Sequence, residues 1–352
     1  AQSLKHDILE NKPYVDIVLG PDSYRKLPDL LNRSIINKKS LVDTQLSRFE
    51  VYDDLFPSRK EGVNAWVTIM RGCDKFCTFC IVPFTRGRER SRSVDGIVRE
   101  VKNVVNNGYT EVTLLGQNVN SYNYNGQNFT KLLKSVAKIK GLKRLRYTSP
   151  HPQDINIELL NVMADYENIC NHVHLPLQSG SNKILKRMNR TYTSDHFVSL
   201  SKKIREILPN VGISTDIIVG FPGESEYDFN ETVKVMEKVK FDSAFTFKYS
   251  SRNGTKASEY DDHINDDIKQ KRLEKVISLQ KSHTSHRNKK YIGRVENILI
   301  EKQSKRKEGK WAGRTESNKW VIFDKDKANI KDEVPVLITS TRDITLHGKI
   351  IN

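Results

Sequence analysis

Between residues 65 and 250 the chain alternates short apolar runs with longer amphipathic ones, six times over. The runs AWVTIM (65–70), EVTLLG (111–116), RLRYTS (144–149), HVHLPL (172–177), GISTDIIVG (212–220) and SAFTFKYS (243–250) read as strands. Segments such as VDGIVREVKNVVNNG (94–108), FTKLLKSVAKIKG (129–141), INIELLNVMADYEN (155–168) and YDFNETVKVMEKVK (227–240) read as the helices between them. A parallel strand pair needs a crossover, so strand–helix alternation predicts a parallel sheet with helices outside it. Right-handed crossovers curl such a sheet toward a barrel, and six units rather than eight leave it partial and open. The predicted fold class is α/β, a partial (β/α)6 barrel with its chemistry at the carboxyl ends of the strands.

Either side of the alternation the pattern changes. YVDIVLG followed by SYRKLPDLLNRS reads as a strand and helix, the tail of an N-terminal α/β domain over 1–36. Residues 37–62 are polar with little periodicity and read as a linker. The barrel and the charged helix after it are assigned 63–283, the helix pattern itself running over 264–292. From 284 to 352 short alternating strands without helices predict a small all-β domain. Its basic residues are Lys302, Lys305, Arg306, Lys307, Lys310, Arg314 and Lys319.

The loop after the first barrel strand, RGCDKFCTFCIVPFTRGRERSR (71–92), holds three of the four cysteines, Cys73, Cys77 and Cys80, spaced C-x3-C-x2-C. Clustered free thiols in a chain this long are not a disulfide framework. Thiolates suit zinc or iron–sulfur clusters. A structural zinc site takes four ligands, and no fourth stands near these three. A 4Fe–4S cluster held by three thiolates leaves one iron open for a substrate or cofactor. The same loop carries Arg71, Lys75, Arg86, Arg88, Arg90 and Arg92 against Asp74 and Glu89. With a formal net charge of +16 for the whole chain, it predicts phosphate contacts with a nucleic acid. No apolar run approaches the roughly 20 residues that span a bilayer, and free thiols predict a reducing, cytoplasmic setting.

Small polar groups and glycines recur at other strand ends: Gly116-Gln117-Asn118, LQSGS (177–181) and GFPGE (220–224). They offer backbone and amide contacts to a zwitterionic, nucleoside-bearing ligand. C-x-H-x-H at Cys170, His172 and His174 puts those residues on one strand face, where packing is the expected role of Cys170. His283 and His286, in a basic helix, are expected on a solvated or RNA-facing surface.

VTIMRGCDKFCTFCIVPFTRGRERSR, LLGQNVNSY, HVHLPLQSGSNKILKRMNRTY, DIIVGFPGESEYDF and FTFKYSSRNGT together resemble the radical S-adenosylmethionine (SAM) methylthiotransferases. GRTESN, in the β segment, resembles the RNA-binding TRAM domain of these enzymes, so the resemblance spans essentially the whole chain. It implies that Cys73, Cys77 and Cys80 hold a 4Fe–4S cluster whose open iron is chelated by SAM. It places Phe79 near the adenine, Gly116, Gln117 and Asn118 near the methionine amino group, and Gln178, Ser179 and Arg190 against SAM. GFPGE departs by one residue from the superfamily's strand-five pattern, and no catalytic side chain beyond the cluster thiols is implied.

The implied reaction replaces C2–H of N6-isopentenyladenosine, 3′-adjacent to the anticodon of tRNA, with C2–SCH3. The alternative substrates are threonylcarbamoyl-adenosine in tRNA and an aspartate of a ribosomal protein. Implied partners are the anticodon stem-loop, SAM and a flavodoxin-type reductant, with no membrane and a monomeric protein. The family also binds a second, auxiliary iron–sulfur cluster through an N-terminal domain, whose pattern ends just before a segment like AQSLK. This chain opens on that segment, so those ligands are expected in a fuller protein and not in the residues given.

Overall fold

The computed structural model describes residues 1–59, 62–304 and 309–351. At its start lie α1 (His6–Asn11), β1 (Ile17–Leu19), α2 (Leu27–Asn37) and β2 (Leu41–Asp43), with β1 and β2 paired in parallel. The stretch 37–62, expected to be a linker, therefore contains a strand. Three residues are too few to display alternation, so only the partner strand specifies this one.

The rest of 44–59 is held down by side chains. Arg90 pairs with Asp22 at 2.8 Å and also donates to the Ser47 carbonyl. Arg92 pairs with Asp53 at 3.0 Å and Glu100 at 2.6 Å. Arg71 donates to the Pro21 carbonyl and lies over the Tyr52 ring.

β3 (Asn64–Thr68) opens the alternation. β4 (Met70–Arg71) pairs antiparallel with β5 (Arg90–Ser91), closing the neck of the cysteine loop around the short α3 (Val82–Arg86). Then come α4 (Val94–Asn106), β6 (Glu111–Leu115), a hairpin of β7 (Asn123–Tyr124) and β8 (Gln127–Asn128), α5 (Phe129–Ala137), β9 (Arg144–Tyr147), α6 (Ile157–Asp165) and β10 (His172–His174). They are followed by α7 (Asn182–Arg187), α8 (Ser194–Ile207), β11 (Gly212–Val219), α9 (Glu226–Val239) and β12 (Ser243–Lys248). Helices α4 to α9 each start on a Ser, Thr or Asn whose side chain accepts from a first-turn N–H, about 1 kcal/mol per cap.

β3–β6–β9 and β10–β11–β12 are parallel throughout. The halves meet where the Leu145 N–H donates to the Asn168 carbonyl at 2.7 Å and the Cys170 N–H to the Leu145 carbonyl at 2.9 Å. The six strands are thus one curved, open sheet, as the alternation predicted. β10 stops at His174 instead of 177, because Pro176 has no N–H to give the ladder.

Registers sort the two faces. Ala65, Val112 and Leu145 align toward the helices, as do Ile213, Ile217 and Val219 along β11. The concave face is polar and aromatic: Trp66, Thr113 and Arg146 align across one half, and His174, Ser214, Asp216 and Phe245 lie on it in the other.

α10 (Asp266–Lys289) crosses residue 283 unbroken and leads into β13 (Val295–Gln303), β14 (Lys310–Arg314), β15 (Trp320–Asp324), β16 (Glu333–Arg342) and β17 (Thr345–Ile350). These close into a barrel in the order β13–β14–β15–β17–β16 around Ile298, Ile300, Val321, Phe323, Val336, Ile338 and Leu346. β14 escapes the sequence pattern because KWAGR carries a glycine. A side chain on Gly313 would collide with the Leu299 carbonyl of the facing strand.

The small barrel covers the amino ends of the sheet strands. Arg144 reaches the Arg314 and Asn297 carbonyls at 2.6 and 2.7 Å and pairs with Glu333. Arg146 pairs with Glu111 and reaches the Glu316 and Thr315 carbonyls, all at 2.9 Å. No helix among the described residues is long and apolar enough to cross a membrane.

Candidate active site

The cysteine loop leaves the carboxyl end of the first barrel strand and is tied down at several points. The Cys73 N–H donates to the Gly87 carbonyl, and the Cys80 N–H to the Cys77 carbonyl. Thr78 donates through its N–H to the Met188 carbonyl and through Oγ1 to the Arg187 carbonyl, at the carboxyl end of α7. With the loop so held, Cys73, Cys77 and Cys80 face one cavity of about 490 Å³ across the strand ends.

Phe79, Gly116, Gln117, Asn118, Gln178 and Arg190 line the same cavity. The structure brings these residues to one cavity, but their individual bonding differs. Asn118 is fully engaged, donating to Asp154 and accepting the His151 N–H, both at 3.1 Å. Gln117 and Gln178 each keep a buried side-chain oxygen without a hydrogen-bond partner. Two orphaned acceptors in a cavity suit an ammonium donor such as that of methionine. Gln178 also has φ +64, a left-handed conformation that turns the chain as it bridges Ile217 of β11. Arg190 donates to Cys77 Sγ at 3.4 Å, Tyr192 Oη at 3.0 Å and the Pro176 carbonyl at 3.3 Å.

Ser179 is elsewhere. It is fully buried behind the sheet, where its Oγ meets Thr232 Oγ1 at 3.4 Å and accepts the Ser181 N–H. Alternation explains this: Gln178 faces the cavity and the next residue faces away. GFPGE also stays off the cavity wall. The Gly220 N–H donates to Glu224, which pairs with Arg272 at 2.8 Å.

Sequence reasoning missed His151, Lys75 and Asp216 on the cavity wall, and gave His174 no role there. Burial, with Arg190 and Lys75 nearby, pushes His151 down to about 2, so it is neutral. His174 bridges Ser214 and Asp216 at 2.9 and 3.2 Å. Of the C-x-H-x-H trio only His174 reaches the cavity. Cys170 is buried, and burial pushes its thiol to about 11 and His172 to about 3.

Burial likewise pushes Cys73 to about 11 and Cys80 upward, so these thiols keep their protons unless a metal centre displaces them. A single zinc with four sulfurs at about 2.3 Å would hold those sulfurs under ~4 Å apart. Among the described residues no three His, Cys, Asp or Glu side chains converge in the manner of a single-ion site. Cys73, Cys77 and Cys80, which line one cavity, would be the residues to hold an iron–sulfur cluster.

The expected phosphate contacts need correction. Arg71, Arg90 and Arg92 are buried and hold the segment preceding the sheet, while Arg86 and Arg88 are exposed. In the small barrel Arg314 pairs with Glu111 and Glu301, and buried Lys319 pairs with Asp242 at 2.9 Å. Lys302 and Lys310 remain at the surface or near it; Lys305, Arg306 and Lys307 lie outside the described residues. His283, expected in solvent, is buried on the inner face of α10, whereas His286 is exposed.

Three cysteines over a partial parallel barrel, with a small closed β-barrel beneath, define a class. The Radical SAM superfamily model matches residues 67–236, and the TRAM domain model matches 289–351. The chain is 43% identical over 351 residues to the tRNA-2-methylthio-N(6)-dimethylallyladenosine synthase of Clostridium tetani (strain Massachusetts / E88), covering 99% of this chain and 78% of that one. It is 42% identical over 341 residues to the enzyme of the same name from Acetivibrio thermocellus, covering 96% and 71%. It is a radical SAM enzyme with a TRAM domain. More particularly, it belongs to the tRNA-2-methylthio-N(6)-dimethylallyladenosine synthase family.

Proposed function

We propose that this chain adds a methylthio group to C2 of N6-isopentenyladenosine in tRNA, 3′-adjacent to the anticodon, using a 4Fe–4S cluster and SAM. The observation that carries the reading is the single cavity in which three thiols meet two unpartnered glutamine oxygens. The names of the relatives favour the dimethylallyl (isopentenyl) nucleoside over the threonylcarbamoyl one and over a protein substrate.

Cys73, Cys77 and Cys80 would hold the cluster. When bound, cluster and SAM supply the one-electron chemistry that an unactivated aromatic C–H bond requires. The protein's part is placement. Gln117 and Gln178 accept from the ammonium of the methionine moiety, and Phe79, edge-on to Phe221 at 6.4 Å, forms an apolar wall for its adenine. Arg190 holds the sulfur of Cys77 and, through Pro176 and Tyr192, ties the cluster loop to the fourth strand unit. The net charge of +16 and the TRAM domain support a tRNA partner. A flavodoxin-type reductant, a monomeric state and a cytoplasmic setting complete the proposal; the free thiols support the last.

Mass spectrometry of nucleosides from tRNA tests this reading. A deletion strain should lose the 2-methylthio group on isopentenyladenosine and regain it on complementation. Loss of that group from threonylcarbamoyl-adenosine alone would overturn it.

A further inference from the structure

A second cavity, of about 450 Å³, opens where β12, α10 and the small barrel meet. Its walls come from both domains. β12 contributes Phe245, whose side is 59% exposed, and β15 contributes Trp320. Ile277 and Ile344 add apolar surface, and exposed Lys281 stands on the α10 side.

The cavity adjoins the cysteine site. Phe245 lies on the concave face of the sheet with its ring 6.0 Å from His174, which lines the cysteine cavity. His172, two residues earlier on the same strand, lines the second cavity. Two residues of strand span about 7 Å, so the pockets are near neighbours along one groove.

The chemistry of the walls is that of a base-binding subsite. Phe245 is exposed and Trp320 half-buried; accessible aromatic faces near cations are what unstacked nucleotides bind, since every base has a π-face. Lys302 sits 4.4 Å above the Trp320 ring, leaving a cation beside the cavity for a phosphate. Two lining side chains, Gln280 and Asn288, are over nine-tenths buried, and each keeps a polar atom without a partner: Gln280 Oε1 and Asn288 Nδ2. One accepts and one donates, the mixture that the edge of a base presents.

We propose that this junction cavity takes one unstacked nucleobase of the RNA substrate, a neighbour of the base being modified, and holds it against Phe245 and Trp320. The proposal rests on the tRNA reading above and adds a second anchoring point, built only when the two domains are docked.

The test is an affinity measurement on the full chain, using an anticodon stem-loop RNA that carries isopentenyladenosine. Trp320→Ala should weaken binding roughly tenfold, and Trp320→Phe should restore most of the loss. Wild-type protein needs no folding control: an abasic site at one of the two nucleotides flanking the target should weaken binding to a similar degree. Trp320→Ala should then add little further penalty on that abasic RNA. Normal RNA binding that is indifferent to both flanking abasic sites and to a folded Trp320→Ala variant overturns the subsite alone. Penalties from the two changes that simply multiply overturn it as well. Failure of the wild type to bind the intact stem-loop overturns the tRNA reading and the subsite with it.

Discussion

Arg190 donates through Nη1 to the sulfur of Cys77 at 3.4 Å, joining the fourth strand unit to the loop after the first. The same guanidinium reaches Tyr192 and Pro176, so its fork is fixed on three sides. A hydrogen bond to a ligating sulfur stabilises the reduced, more negative cluster. Arg190→Lys keeps the charge and loses the fork. We expect a more negative cluster potential by EPR-monitored titration, and SAM cleavage slowed roughly ten- to hundredfold. An unchanged potential would contradict the role given to Arg190.

Arg146 links the sheet to the small barrel and is paired with Glu111, a carboxylate with no exposed surface. Arg146→Ala leaves Arg314 as the remaining partner of Glu111 and frees two carbonyls of the small barrel. Breaking a buried pair from one side costs about 3–5 kcal/mol. Hydrogen exchange should show β14 and β15 exchanging faster, with α4 and α5 little changed.

Gly96, in the first turn of α4, faces the Asp53 carboxylate so closely that a methyl group there would displace it. Helix propensity favours alanine by about 1 kcal/mol. Displacing Asp53 removes its bonds to Arg92 and Ser93. Overpacking of this kind typically costs about 1–3 kcal/mol. Gly96→Ala should therefore lower the urea midpoint despite its better propensity.

Buried histidines make stability depend on pH. Burial, with Arg146 close by, holds His172 at about 3, and the unfolded chain returns it to about 6.5. Above 6.5 both states are neutral and the group adds no slope. Below it the unfolded chain takes up a proton that the folded site refuses, so stability falls as pH falls toward 3. At pH 5 the loss from this one group is about 2 kcal/mol. His151, held at about 2 by burial, acts in the same direction. Urea denaturation at pH 7.5 and 5 should show the slope, and His172→Gln should flatten it.

The sheet was legible because a parallel fold imposes apolar runs of strand length separated by helices, and six such units stand in the sequence. Strand ends were overrun at HVHLPL, where Pro176 stops the ladder two residues after His174. β2, β14 and β17 were invisible, being short or interrupted by glycine. The cysteines, Gln117 and Gln178 could be found by spacing and by their place at strand ends. Ser179 was misplaced because a loop motif does not reveal which of two adjacent side chains faces inward. The arginines of the cysteine loop looked like a phosphate surface because charge is visible in sequence, while Asp22, Asp53 and Glu100, which neutralise Arg90 and Arg92 and come from other elements, are not.

The central claim is an iron–sulfur cluster held by Cys73, Cys77 and Cys80 with one iron open to SAM. Spectroscopy of anaerobically reconstituted protein, with and without SAM, tests it most directly. The account predicts a reduced 4Fe–4S EPR signal that changes on SAM addition and is lost in Cys77→Ala. A signal indifferent to SAM, or a colourless protein carrying stoichiometric zinc, would contradict it.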